Sequence, residues 1–141
     1  MRNALVAALL GAVLAVSASA ERAVAEVVIT IDKSTQLMSV AVSGFNLYTW
    51  AVSTGLGGGP PSGSYTPLRL ERYWYSRKYG RSPMPHAIFF HKGYAMHGTN
   101  YVSRLGRRAS HGCVRLHPAN AAQLFALVRS EGVGNTRIVI R

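Results

Sequence analysis

Acidic residues are scarce in this chain: five Asp and Glu stand against sixteen Lys and Arg, a formal net charge of +11 over 141 residues. A balance so basic calls for an anionic partner. Cysteine is scarcer still. The single Cys113 can form no internal disulfide, and one thiol with scattered histidines falls short of the three or four convergent ligands a zinc site needs, so no metal or other cofactor is expected. Past residue 20 no apolar run approaches the roughly 20 residues that a membrane-crossing helix requires. Internal repeats are absent, and the only low-complexity tract is one glycine-rich loop. The length leaves room for one domain and no second core.

What is present points to strands and shaped loops. Fourteen glycines, seven tyrosines and two tryptophans in a 48% apolar chain suit a mainly β domain better than a helical bundle. Residues 1–20 have the anatomy of an export signal. Arg2 supplies the positive start, residues 4–16 an uncharged apolar run, and residues 18–20 small side chains for cleavage. The mature domain is then 21–141, with a second small-residue site at 23–25, and its expected location is the periplasm or cell envelope. Setting Arg2 aside lowers the charge only to +10. Outside the membrane such a protein meets little nucleic acid, so wall peptides and phospholipid headgroups are the expected anionic partners.

Residues 27–31 and 37–42 alternate around a turn cluster at 32–35, which predicts an opening β-hairpin, and 47–54 predicts a third strand. Residues 55–63, glycine-rich with two prolines, can continue neither strand nor helix. One strand is expected within 65–75. Residues 76–85, basic and with two prolines, read as an exposed excursion and a candidate lid. A short hairpin over 87–90 and 94–96 then delivers His97 at a strand end. Residues 98–112 read as loop. Pro118 opens one principal helix whose Ala121, Leu124, Phe125 and Val128 recur at helical spacing before Gly132, and 136–140 closes the chain as a strand.

An unpaired thiol in an exported chain calls for a reason, and its neighbours supply one. Cys113 follows Ser110, His111 and Gly112, on a loop whose glycine lets backbone amides turn toward the sulfur. A thiolate attacking an acyl carbon needs a base for its proton and donors for the oxyanion. His97 is the preferred base, with Gly98 beside it leaving space. His111 is the rival, too close in sequence for good geometry. Asp32, Glu71 and Glu131 are poorly placed to orient the imidazole, which leaves a backbone carbonyl. Beside an imidazole and several amides, the thiol is expected to have a lowered pKa. His86, His91 and His117 read as surface or packing residues.

His97-Gly98-Thr99, with Cys113 inside Ser110-His111-Gly112-Cys113-Val114-Arg115-Leu116, closely resembles the signature of the L,D-transpeptidases, the YkuD-type domain. Upstream, Val52-Ser53-Thr54-Gly55 and Pro61-Ser62-Gly63-Ser64-Tyr65 are similar to the family's strand and following turn. Pro60 stands where the family usually has Thr, and Arg115 where many members have Asn. The resemblance implies a β-sandwich-like fold with the site between its sheets. It implies Cys113 as the nucleophile toward the diaminopimelate–D-Ala bond of a peptidoglycan tetrapeptide stem, and His97 as base, held by the Gly98 carbonyl. Backbone amides of His111, Gly112 and Cys113 would form the oxyanion hole, with Ser110 and Arg115 as supports and Arg115 a candidate partner for a substrate carboxylate. The acyl group would pass to an amine of another stem or of an envelope protein. Two other readings remain: an L,D-carboxypeptidase or amidase with water as acceptor, and a wall-binding module without catalysis.

Overall fold

Alternating apolar residues at the start of the domain set one face of a strand against a core, with Val27, Ile29 and Ile31 fully buried while their neighbours are half-exposed. This strand, β1 (Val27–Asp32), pairs antiparallel with β2 (Leu37–Val42), which pairs with β3 (Phe45–Ala51), so the expected meander forms. The computed structural model describes residues 25–141. The expected export signal and its first candidate cleavage site lie outside the described residues, and of the second site, 23–25, only Ala25 is described. The first turn is closed by the Asp32 carboxylate, which accepts from the Ser34 N–H (2.9 Å) and hydroxyl (2.6 Å) and the Thr35 N–H (3.2 Å).

The remaining strands are β4 (Gly63–Tyr65), β5 (Arg69–Glu71), β6 (Ala87–His91), β7 (Tyr94–Gly98), β8 (Val114–Leu116) and β9 (Thr136–Ile140). They form a five-stranded sheet ordered β3-β2-β1-β9-β4 and a four-stranded sheet ordered β5-β6-β7-β8. Helix α1 (Pro118–Glu131) starts where proline predicts it, and the His117 ring nitrogen caps it by accepting from the Ala119 N–H at 3.1 Å. The fold is therefore mainly β, with two sheets and one main helix. Ile29 and Ile31 of β1, Ile138 of β9, Ile88 of β6, Met96 of β7 and Leu124 of α1 all join one core. Each such side chain contributes on the order of 1.5–3 kcal/mol by leaving water.

The strand expected within 65–75 is β5, and the segment starts on the last residue of β4. Tyr65 pairs with Ile138 in the first sheet and Arg69 with Phe89 in the second, with Pro67, which lacks an N–H, in the crossing between them. Residues 114–116 also form a strand that sequence patterning does not reveal, because three residues are too few to establish alternation.

Candidate active site

Strands β7 and β8 run parallel, with His97 opposite Arg115 and Met96 opposite Val114. Side chains alternate across a strand, so Met96 and Val114 enter the main core while His97 and Arg115 face the other side. Cys113, one step before β8, faces that side too, packing with Phe89 and Ala95 in a smaller cluster. Parallel pairing thus places two residues sixteen positions apart on neighbouring strands of one face.

The loop between them is clamped by the segment after β3. Ser53 exchanges two backbone hydrogen bonds with Arg115, Thr54 O accepts from Ala109 and Ser110, and Leu56 N–H donates to Ser110 O. That segment is in turn fixed by buried Gln36, whose carbonyl oxygen accepts from the Thr54 N–H at 2.8 Å and whose amide donates to the Thr54 hydroxyl at 2.6 Å. Gly55 and Gly112 meet so closely that a Cβ on Gly55 would lie 2.9 Å from the Gly112 Cα. Gly112 itself has φ +146°, and a Cβ there would lie 2.8 Å from the Tyr94 ring.

Ser110, buried, braces the Cys113 loop: its hydroxyl donates to Cys113 O at 2.6 Å and accepts from the Gly112 N–H at 3.1 Å. The Gly112 amide is therefore engaged with Ser110. Arg115 Nη1 donates to Ala109 O at 3.2 Å, and the guanidinium lies 5.6 Å from the Tyr101 ring. His111 is exposed and stacks on Tyr79 of the excursion, ring centroids 4.1 Å apart.

His97 is buried, and its Nδ1 lies 2.7 Å from Gly98 O. A carbonyl only accepts, so Nδ1 carries the proton and Nε2 keeps a free lone pair. Burial pushes the imidazole pKa down to about 4, against a smaller upward pull from the Gly98 carbonyl, with the Arg115 charge lowering it further. Burial likewise pushes the Cys113 thiol above its ordinary value; the backbone of Ala95 and the Arg115 charge oppose this without cancelling it. The expectation of a lowered thiol pKa is thus corrected. At neutral pH the resting pair is a thiol and a neutral imidazole, because neither gains a counter-charge that offsets its loss of water. The sulfur's own hydrogen-bond contact is weak, to Gly93 O at 3.9 Å.

Cys113 and His97 share a cleft of about 790 Å³. Its floor is the outer face of the four-stranded sheet; one wall is the excursion, including Trp74, Tyr79 and Met84, and another is the loop at Asn100 and Tyr101. Among its lining residues none comes from the five-stranded sheet, so the cleft does not lie between the sheets, which enclose the core instead. The excursion starts before residue 76: His86 N–H donates to Arg72 O and Met84 N–H to Trp74 O, folding 72–86 back on itself. Sequence reasoning missed Arg69, Trp74, Tyr79 and Tyr94 as cleft residues. The aromatic density of 73–79 hints at Trp74 and Tyr79, and nothing local marks Arg69 or Tyr94.

A family model for the L,D-transpeptidase catalytic domain, YkuD, matches residues 26–140. A curated Fuscovulum blasticum protein whose name assigns it to the L,D-transpeptidases is 35% identical over 72 residues, covering 48% of this chain and 38% of its own length. Among solved structures, an L,D-transpeptidase from Mycobacterium smegmatis superposes with a TM-score of 0.73 at 29% identity, over 83% of this chain and 59% of that one. The LD transpeptidase LdtMt1 in complex with imipenem gives a TM-score of 0.72 at 25% identity, over 83% and 59%. The chain thus spans less than two thirds of the length of these relatives.

Proposed function

The chain belongs to the YkuD family of L,D-transpeptidase catalytic domains, and on that premise we propose that it is an exported acyltransferase of peptidoglycan with Cys113 as nucleophile. The observation that carries this is the His97–Gly98 contact beside Cys113: a neutral imidazole, its Nδ1 proton fixed on a carbonyl, offers Nε2 to a thiol in the same cleft. Nε2 takes the thiol proton as the sulfur attacks the carbonyl joining the L-centre of diaminopimelate to D-Ala. Collapse of the tetrahedral intermediate expels D-Ala, whose nitrogen takes the proton from the imidazolium, leaving a thioester. An amine of a second stem, or of an envelope protein, then attacks the thioester, gives up a proton through Nε2, and releases the Cys113 sulfur to be reprotonated. The His111 and Cys113 amides meet the oxyanion, since Gly112 donates to Ser110. Ser110 and Arg115 act as supports that fix the loop. No step calls for a metal or cofactor.

Export is proposed from residues 1–20, and among the described residues no helix is long and apolar enough to cross a membrane. Incubation of the protein with disaccharide tetrapeptide, followed by mass analysis, tests the reaction. Cross-linked dimers with D-Ala release are expected. Tripeptide alone would make water the acceptor, and unchanged substrate would contradict the proposal.

A further inference from the structure

The strand register sets four residues in one row across the floor of the cleft. Arg69 on β5 lies opposite Phe89 on β6, and Phe89 opposite Ala95 on β7. The β7–β8 register, continued one residue outward, brings Ala95 beside Cys113, and Ala95, Phe89 and Cys113 pack as one cluster. At one end of the row stands the thiol, at the other a guanidinium.

The Arg69 side chain is 45% exposed, yet its guanidinium lies back over the sheet. Its carbon lies 3.8 Å from the centroid of the Phe89 ring and 5.0 Å from that of Trp74, so Arg69 leans inward over β6. Glu71 lies 3.5 Å from its Nε, which occupies the inner edge of the fork and leaves the two terminal nitrogens for another acceptor. Arg77 lies over the same Trp74 ring at 5.3 Å. The cleft lining also includes Lys78 and Arg115, and among the described residues that line it there is no carboxylate. Of the cations in the lining, Arg115 already donates to Ala109 O. Arg69 is the one held by aromatic rings in line with the nucleophile.

We propose that Arg69 forms a carboxylate subsite that selects acyl donors carrying an anionic group two strand spacings, about 10 Å, from the scissile carbonyl. The proposal deepens the peptidoglycan reading and rests on it for the identity of the donor. A tetrapeptide stem offers two such groups on the acyl side of the bond: the carboxylate at the far end of the diaminopimelate side chain and that of the D-Glu residue before it. Both share the chemistry that a planar guanidinium reads with two parallel N–H donors, and a carboxamide lacks the charge that strengthens those bonds. The aromatic cradle fixes the fork before substrate arrives, so little side-chain freedom is lost on binding.

The test separates binding from turnover. In a Cys113→Ala background, the affinities of the free tetrapeptide, of its two singly amidated forms and of the doubly amidated form are measured by calorimetry, with Arg69 intact and as Arg69→Gln and Arg69→Lys. The dicarboxylate peptide is expected to bind about tenfold more tightly than the doubly amidated one. Arg69→Gln should reduce that ratio to near one, and Arg69→Lys should keep part of it, a pattern that a packing role for Arg69 would not produce. The singly amidated peptides identify which carboxylate is read. Equal binding of charged and amidated peptides to protein with Arg69 intact overturns the subsite, whether or not the variants fold. So does a ratio that survives in Arg69→Gln. Charge-dependent binding, together with no cleavage of any stem by protein with Cys113 intact, would overturn the peptidoglycan reaction and leave the subsite standing. Cleavage without charge preference would do the reverse.

Discussion

Tyr79 lies flat against His111, their ring planes 12° from parallel, so the tip of the excursion rests on the residue two positions before Cys113. Moving the excursion away from the cleft breaks this stack. An aromatic pair contributes about 0.5–1.5 kcal/mol beyond its buried area. Tyr79→Ala and His111→Ala should therefore each slow acylation by a stem donor by a factor of about 2–10, and the double variant should be no slower than the slower single one. Rates around the cycle check this, and additive losses would mean that the two rings act independently.

In the proposed role of general base His97 must be neutral, and burial holds its pKa at about 4. Acylation should persist as pH falls through 6.5 and decline only toward 4. His97→Ala should cost on the order of 10²–10⁴ in rate, whereas His111→Ala keeps folding and some turnover. A pH–rate profile falling near 6.5, or full activity without His97, contradicts this.

The same depressed pKa bears on stability. Between about 4 and 6.5 the unfolded chain holds a proton on His97 that the folded chain does not, so stability should fall as pH drops through that window. The loss attributable to this one group is on the order of 3 kcal/mol. Urea unfolding at pH 7 and at pH 4.5 for the natural protein and His97→Gln checks it: the variant should lose less. Equal losses would place the pH dependence elsewhere.

Gly55 packs against the Cys113 loop, where an added Cβ would lie 2.9 Å from Gly112 Cα and 3.0 Å from Gly59 O. All these neighbours are backbone atoms, which give way only if the loop moves. Gly55→Ala should cost about 1–3 kcal/mol in stability and displace Cys113. Thermal unfolding together with thiol alkylation rates would show both effects. An unchanged melting temperature would mean that the loop yields freely.

Much of this arrangement is legible in the sequence because local patterns fix it. The hairpin at 27–42 alternates cleanly, the helix declares itself by Pro118, its apolar spacing and Gly132, and His97 and Cys113 stand in a distinctive motif. The less legible parts depend on contacts distant in the chain. The cleft's position on the outer face of the second sheet follows from β7–β8 pairing, and β8 has only three residues. The division of 65–75 between two sheets depends on β9, the last strand of the chain. Arg69, apart from the motif, joins the site only through cross-strand register. The thiol's raised pKa reflects burial, which residue types near Cys113 do not reveal.

Acylation of Cys113 alone is read from the intact mass of the protein after incubation with imipenem, followed by peptide mapping. The LD transpeptidase LdtMt1 has been solved in complex with that compound. One covalent addition is expected, mapped to Cys113, absent from Cys113→Ser, and slowed in His97→Ala. The serine hydroxyl is far harder to ionise with the same base, while its size leaves packing nearly unchanged. An adduct on another residue, or full acylation of Cys113→Ser, would contradict the account.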